Sequence, residues 1–178
     1  MRPGLLVLAL CLVVSALAPA RAQDAARPPG RADYFIDFRA RSSGMIGHTY
    51  LVYGRIDSSG RMSDLHHAGF YPRDEYHESP VLAVALVSGY VTLKAENPRE
   101  LPTIIYRRRL TAEQYALVHA TVHYLKRSQP LWHLAMNNCN DFAAGVAHSI
   151  GLVTPPALMT PYMFVRTMRA INGGAMPY

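Results

Sequence analysis

Ten apolar residues run without a break from Leu5 to Val14, after Arg2 and before the small-residue pattern Ala20-Arg21-Ala22. A charged start, a short apolar run and a small-residue cleavage pattern read as a secretory signal, too short to span a membrane. Cleavage after Ala22 removes residues 1–22 and makes Gln23 the first mature residue. Leu10 stands where a small residue should precede a lipidated cysteine, and the apolar run continues past Cys11, so a lipoprotein anchor is not expected. Loss of Cys11 leaves Cys139 as the one thiol of the mature chain. No intramolecular disulfide can then form, and the fold must rest on its apolar core alone.

About 155 remaining residues are enough for one domain with a substantial core. Half the composition is hydrophobic. Losing Arg2 and Arg21 takes two from the formal charge of +6 and leaves +4. The densest basic run, Arg107-Arg108-Arg109, lacks interleaved aromatics and reads as a solvated strand end, so no nucleic-acid partner is expected. No second long apolar stretch follows the signal, and no stable membrane span is expected. The predicted location is the periplasm or the exterior.

Residues 23–33 are rich in Pro, Gly and charge and read as a flexible leader. A single domain is expected over 34–178, with a proline-rich C-terminal tail. Strands are predicted over 34–38, 46–53 and 65–71, the last two joined by turn chemistry at Asp57-Ser58-Ser59-Gly60. Further strands are predicted over 81–87, 90–93 and 103–109, with Ser88-Gly89 as a break. Thr111 and Gln114 form a capping box, and Tyr115, Val118, Val122 and Leu125 continue an apolar stripe, so a helix should run to about Arg127. A second helix should start near Asn138 and end at Gly151, and a short third one should span 162–171.

The run Asn137-Asn138-Cys139-Asn140-Asp141-Phe142 puts the thiol in the first turn of a helix with Asn available as N-cap. There the unpaired N–H groups and the helix dipole favour the thiolate, which is the nucleophilic form. Histidine is the usual partner, because an ordinary pKa near 6.5 lets it take and return a proton at neutral pH.

Together, Gly47-His48-Thr49-Tyr50-Leu51-Val52-Tyr53-Gly54 and the later Asn138-Cys139-Asn140-Asp141-Phe142 resemble the circularly permuted branch of the papain-like, NlpC/P60-related superfamily. Lecithin:retinol acyltransferase-like members are similar in placing a histidine strand before the cysteine helix. The resemblance implies an α+β fold, an antiparallel sheet packed against helices with the cysteine at a helix N-terminus. It implies Cys139 as nucleophile, His48 as general base, and an orienting polar group on the strand 65–71, where both His66 and His67 stand. A four-residue turn at 57–60 would put Gly69 opposite His48 and His67 on its face, whereas a five-residue loop would present His66. Asn140 and Asp141 after the cysteine depart from the acyltransferase-like pattern.

The function so implied is an exported thiol hydrolase of the amidase or peptidase type. Its substrate would be a peptide, amide or ester, cell-wall peptides included, and no cofactor or metal is needed. The alternatives are a non-catalytic binding module on the same frame, with the Arg107–Arg109 edge or the tail as contact, and a lipid acyltransferase. Cys139 can also be read as a buried core thiol, and His66-His67 as plain exposed residues. His119 and His123 have i,i+4 spacing, but the residues between them lack the Glu of the metalloprotease motif.

Overall fold

The computed structural model describes residues 33–42, 47–73, 82, 84–93, 101–128 and 131–173. The expected signal and nearly all of the expected leader lie outside them. Six strands form one sheet: β1 (Asp33–Arg41), β2 (His48–Ile56), β3 (Met62–Pro72), β4 (Val87–Thr92), β5 (Ile104–Leu110) and β6 (Leu131–Trp132). The spatial order is β5-β1-β2-β3-β4-β6, with every neighbouring pair antiparallel. Helices α1 (Ala112–Ser128), α2 (Cys139–Ser149) and α3 (Pro161–Ile171) complete the described elements.

Alternation along the strands decides which side is covered. Ile36, Phe38 and Ala40 of β1, Leu51 and Tyr53 of β2, and Ala68 and Phe70 of β3 share one face. They join a single buried cluster with Val118 and Val122 of α1, Phe142 and Val146 of α2, and Phe164, Val165 and Met168 of α3. All three helices therefore pack on that face. The other face carries a smaller cluster of Phe35, Val52 and Ile56. Beside it the fully buried Asp37 receives Arg107 through Nε at 2.6 Å and Nη2 at 2.8 Å. Arg107 and Arg109 point to this face and Arg108 to the helical one, so the basic run is divided between two surfaces.

The capping box of α1 forms as read. The Thr111 amide donates to Gln114 Oε1 at 3.1 Å, and the Gln114 amide donates to Thr111 Oγ1 at 3.2 Å. Of the expected strand over 81–87, the described residues before Val87 are not in a strand, and residues 81 and 83 lie outside the described residues. Leu82 lies in a short helical turn, Val84 and Ala85 in a turn and bend, and β4 starts only at Val87 and continues through Ser88-Gly89. The sequence there is an apolar run without the alternation of a half-buried strand, and Val84 and Leu86 stand exposed, so the run does not mark a buried strand.

The β2–β3 hairpin departs from the four-residue turn in two steps. Asp57 N–H donates to the Arg61 carbonyl at 3.0 Å, so the loop closes over five residues and Ile56 faces Met62. Asp57 Oδ1 takes the amides of Ser59 and Arg61, each at 2.9 Å, and Gly60 adopts a φ of +85°. A bulge between Tyr53 and Arg55 then adds one residue to β3, with Asp64 at φ +50°. Gly54 lies under the bulge, where a Cβ would come within 2.7 Å of the carbonyl oxygens of Ser63 and Asp64. Beyond the bulge the pairing is Tyr53 with His66, Val52 with His67 and Tyr50 with Gly69.

Candidate functional site

Cys139 is the first residue of α2, and Asn138 is its N-cap. Asn138 Oδ1 accepts from the Asn140 amide at 2.7 Å, and the Asn138 amide donates to Asp141 Oδ2 at 2.9 Å, which completes a capping box. These bonds fix the turn that carries the thiol. A second set holds the turn against the rest of the fold. Asn140, only 2% exposed, accepts from Thr49 Oγ1 at 2.6 Å and donates through Nδ2 to the carbonyls of Ala157 and Met159 at 2.9 and 2.8 Å. One amide side chain thus joins α2, β2 and the segment leading into α3.

The buried thiol meets the start of β2. Its hydrogen-bonding neighbours are the backbone and hydroxyl of Thr49 and the backbone at Cys139 and Asn140. All of these favour the thiolate, as the helix terminus does. Burial acts against them and dominates, pushing the Cys139 thiol above its ordinary pKa. The resting group is therefore a thiol, and the thiolate expected from the helix start is overruled by desolvation.

His48, the first residue of β2, is also buried. Its ring stacks on Tyr71 at 3.9 Å and lies parallel to Tyr50 at 6.4 Å. The register continued from Tyr50–Gly69 puts Tyr71 opposite His48, which is the place the four-residue turn assigned to Gly69. The five-residue loop and the bulge each shift the pairing by one, so the face is restored but the position is not. His67 shares the face of His48 but pairs with Val52, four residues along β2. His66 lies on the helical face, stacked on Tyr53 at 5.2 Å. Neither histidine occupies the position opposite His48. Tyr71 does, and a count of turn residues that included the bulge would have found it.

Gly69 is the second residue that the sequence reading missed. A Cβ there would lie 2.6 Å from a Tyr71 ring carbon and 3.0 Å from His48 Nε2. The bare Cα leaves room for both rings over the strand. Gly69→Ala is expected to displace the His48–Tyr71 stack and to lower any His48-dependent rate by about tenfold or more. Kinetics alongside a melting curve check this, with the rate expected to fall further than stability.

Burial, with the nearby charges of Arg39 and His66, holds His67 below the usual histidine range. Burial, His123 and His66 do the same for His119. Both groups bind protons less readily folded than unfolded. The unfolded chain therefore takes up more protons as pH falls through about 6.5, and stability drops with it. Urea midpoints at pH 7.5 and 5.5 should show the loss, and His67→Gln with His119→Gln should reduce it.

What the site can do follows from these placements. The thiol and a backbone N–H at the helix start meet Thr49 on the helical face at one end of the sheet, whereas His48, one residue earlier on β2, faces the opposite side with Tyr50 and Tyr71. No protein-family model matches the chain, and no curated protein matches it in sequence. A crystal structure of the type VI secretion system effector TseH is similar in fold, with a TM-score of 0.50 at 12% identity over 80% of this chain and 91% of that one. The architecture is α+β and papain-like, an antiparallel sheet packed against helices with the cysteine at a helix N-terminus.

Proposed function

We propose that this chain is an exported thiol hydrolase of the amidase or peptidase type, with Cys139 as nucleophile and His48 as general base. The observation that carries the reading is the Cys139 thiol at the capped start of α2 against Thr49 at the end of β2, and the reading requires the His48 ring, which faces the other side of β2, to reach the sulfur around the strand end. Because burial keeps the sulfur protonated, attack and deprotonation go together. His48 takes the thiol proton as sulfur bonds to the carbonyl carbon of a peptide, amide or ester. The Cys139 amide is the donor at hand for the oxyanion. The imidazolium returns the proton to the departing amine or alcohol, which leaves a thioester on Cys139. Water, deprotonated by His48, then releases the acid and restores the thiol.

Tyr71, stacked on His48, serves as a positioning residue for the ring and replaces His66 and His67 in that role. Export rests on the run Leu5–Val14 and the Ala20-Arg21-Ala22 pattern, and predicts a mature chain beginning at Gln23.

A p-nitrophenyl ester probe followed by intact mass tests the reading. An acyl adduct on Cys139 that forms and decays is expected, with both steps slowed in His48→Ala. If wild type acquires no adduct, or if His48→Ala acylates at the same rate, the Cys139–His48 mechanism fails and the chain is better read as a binding module. Transfer of the acyl group to an added amine in preference to water would instead identify an acyltransferase.

A further inference from the structure

Three of the histidines that the reaction leaves unused gather at one place, where β3 meets α1. His119 and His123 stand one turn apart on α1 with ring centres 4.3 Å apart. His66 reaches the same place from β3, its ring centre 5.9 Å from that of His119 and edge-on to it. Tyr53 forms the floor beneath, 5.2 Å from His66 and 6.5 Å from His119. His66 is exposed, and His119 and His123 are partly so.

We propose that His66, His119 and His123 form a surface site for a divalent late transition-metal ion such as Zn²⁺, Ni²⁺ or Cu²⁺. Imidazole nitrogens suit these ions, and histidines at i and i+4 on a helix offer two nitrogens to one ion. Imidazoles sharing a tetrahedral ion at about 2.0 Å per nitrogen have ring centres roughly 5 Å apart, and the two observed spacings bracket that value. As the side chains stand, no group of three or more His, Cys, Asp or Glu among the described residues could hold a metal ion, so the site forms only when these rings turn. Rotation of the exposed His66 ring and the partly exposed His119 and His123 rings about their side-chain torsions would bring the nitrogens together. Three protein ligands leave a fourth position for water. The sequence alone shows only the helical pair, because His66 is more than fifty residues away and arrives through the hairpin bulge.

The site is separate from Cys139 and does not depend on the hydrolase reading. Its test is calorimetric titration of the untagged mature chain with Ni²⁺ and with Zn²⁺ at pH 7.5. One ion per chain is expected, and at about a hundredfold excess over Kd the melting temperature should rise by roughly 5 to 10 °C. His119→Ala and His123→Ala should each weaken binding by about tenfold or more, and His66→Ala should weaken it measurably. Cys139→Ala should bind as wild type does. Absence of saturable binding, binding unchanged in the His119→Ala/His123→Ala double variant, or binding lost in Cys139→Ala overturns the proposal. An unaltered affinity in His66→Ala overturns the three-residue set. If His119→Ala fails to fold, His123→Ala reads the same pair.

Discussion

His48→Ala is expected to lower kcat by about a hundredfold to ten-thousandfold, the usual contribution of a positioned general base. Cys139→Ala should leave only background hydrolysis, while its stability stays within about 1 kcal/mol of wild type, since only one sulfur atom leaves the core. The loss in His48→Ala should be large here because burial keeps Cys139 protonated at rest. A thiolate poised in advance could still attack without a base, but a thiol needs a group to receive its proton. Raising the pH should therefore rescue His48→Ala in part and leave Cys139→Ala inactive. Steady-state rates on an ester and on a peptide amide, measured from pH 6 to 10, separate the two cases.

Asn140→Ala is expected to be the most damaging polar substitution near the site. The change strands the Thr49 hydroxyl and removes a donor from the carbonyls of Ala157 and Met159. With buried groups costing about 1 to 3 kcal/mol each when unsatisfied, and some relaxation allowed, a loss of roughly 3 kcal/mol is expected. For a chain of this size that lowers the melting temperature by about 6 to 12 °C. Asn140→Asp keeps the acceptor for Thr49 and loses only the donor half, so it separates the two contributions. Differential scanning calorimetry of the pair gives the answer directly, and an Asn140→Ala curve that overlays wild type would rule out the clasp as a source of stability.

Sequence reasoning succeeded where the determining contacts are local. The capping box at Thr111–Gln114, the Asn138 cap before Cys139 and the turn at Asp57 each involve side chains bonding backbone a few residues away. It failed where tertiary fit decides. Asn140 looked like a departure from a motif next to the cysteine, yet its partners lie 91 residues earlier and 17 and 19 residues later. The ionisation of Cys139 was misjudged for the same reason, since a helix terminus is visible in a sequence and the extent of burial is not. His67 has the facing read for it but lies farther along β2 than the turn count gave, because loop length and bulge were not separable before the register was known, and Tyr71 was overlooked.

The two-step hairpin limits how this family of sequences can vary in length. The loop contributes one odd step and the bulge another, and only their combination returns Leu51, Tyr53, Ala68 and Phe70 to the same side. Loss or gain of a single residue between Gly54 and Asp64 turns the whole of β3 inside out relative to its neighbour unless the loop or the bulge takes it up, whereas changes in pairs preserve its facing. Length changes across this hairpin should therefore accumulate in even numbers, with the glycine under the bulge retained wherever the bulge is.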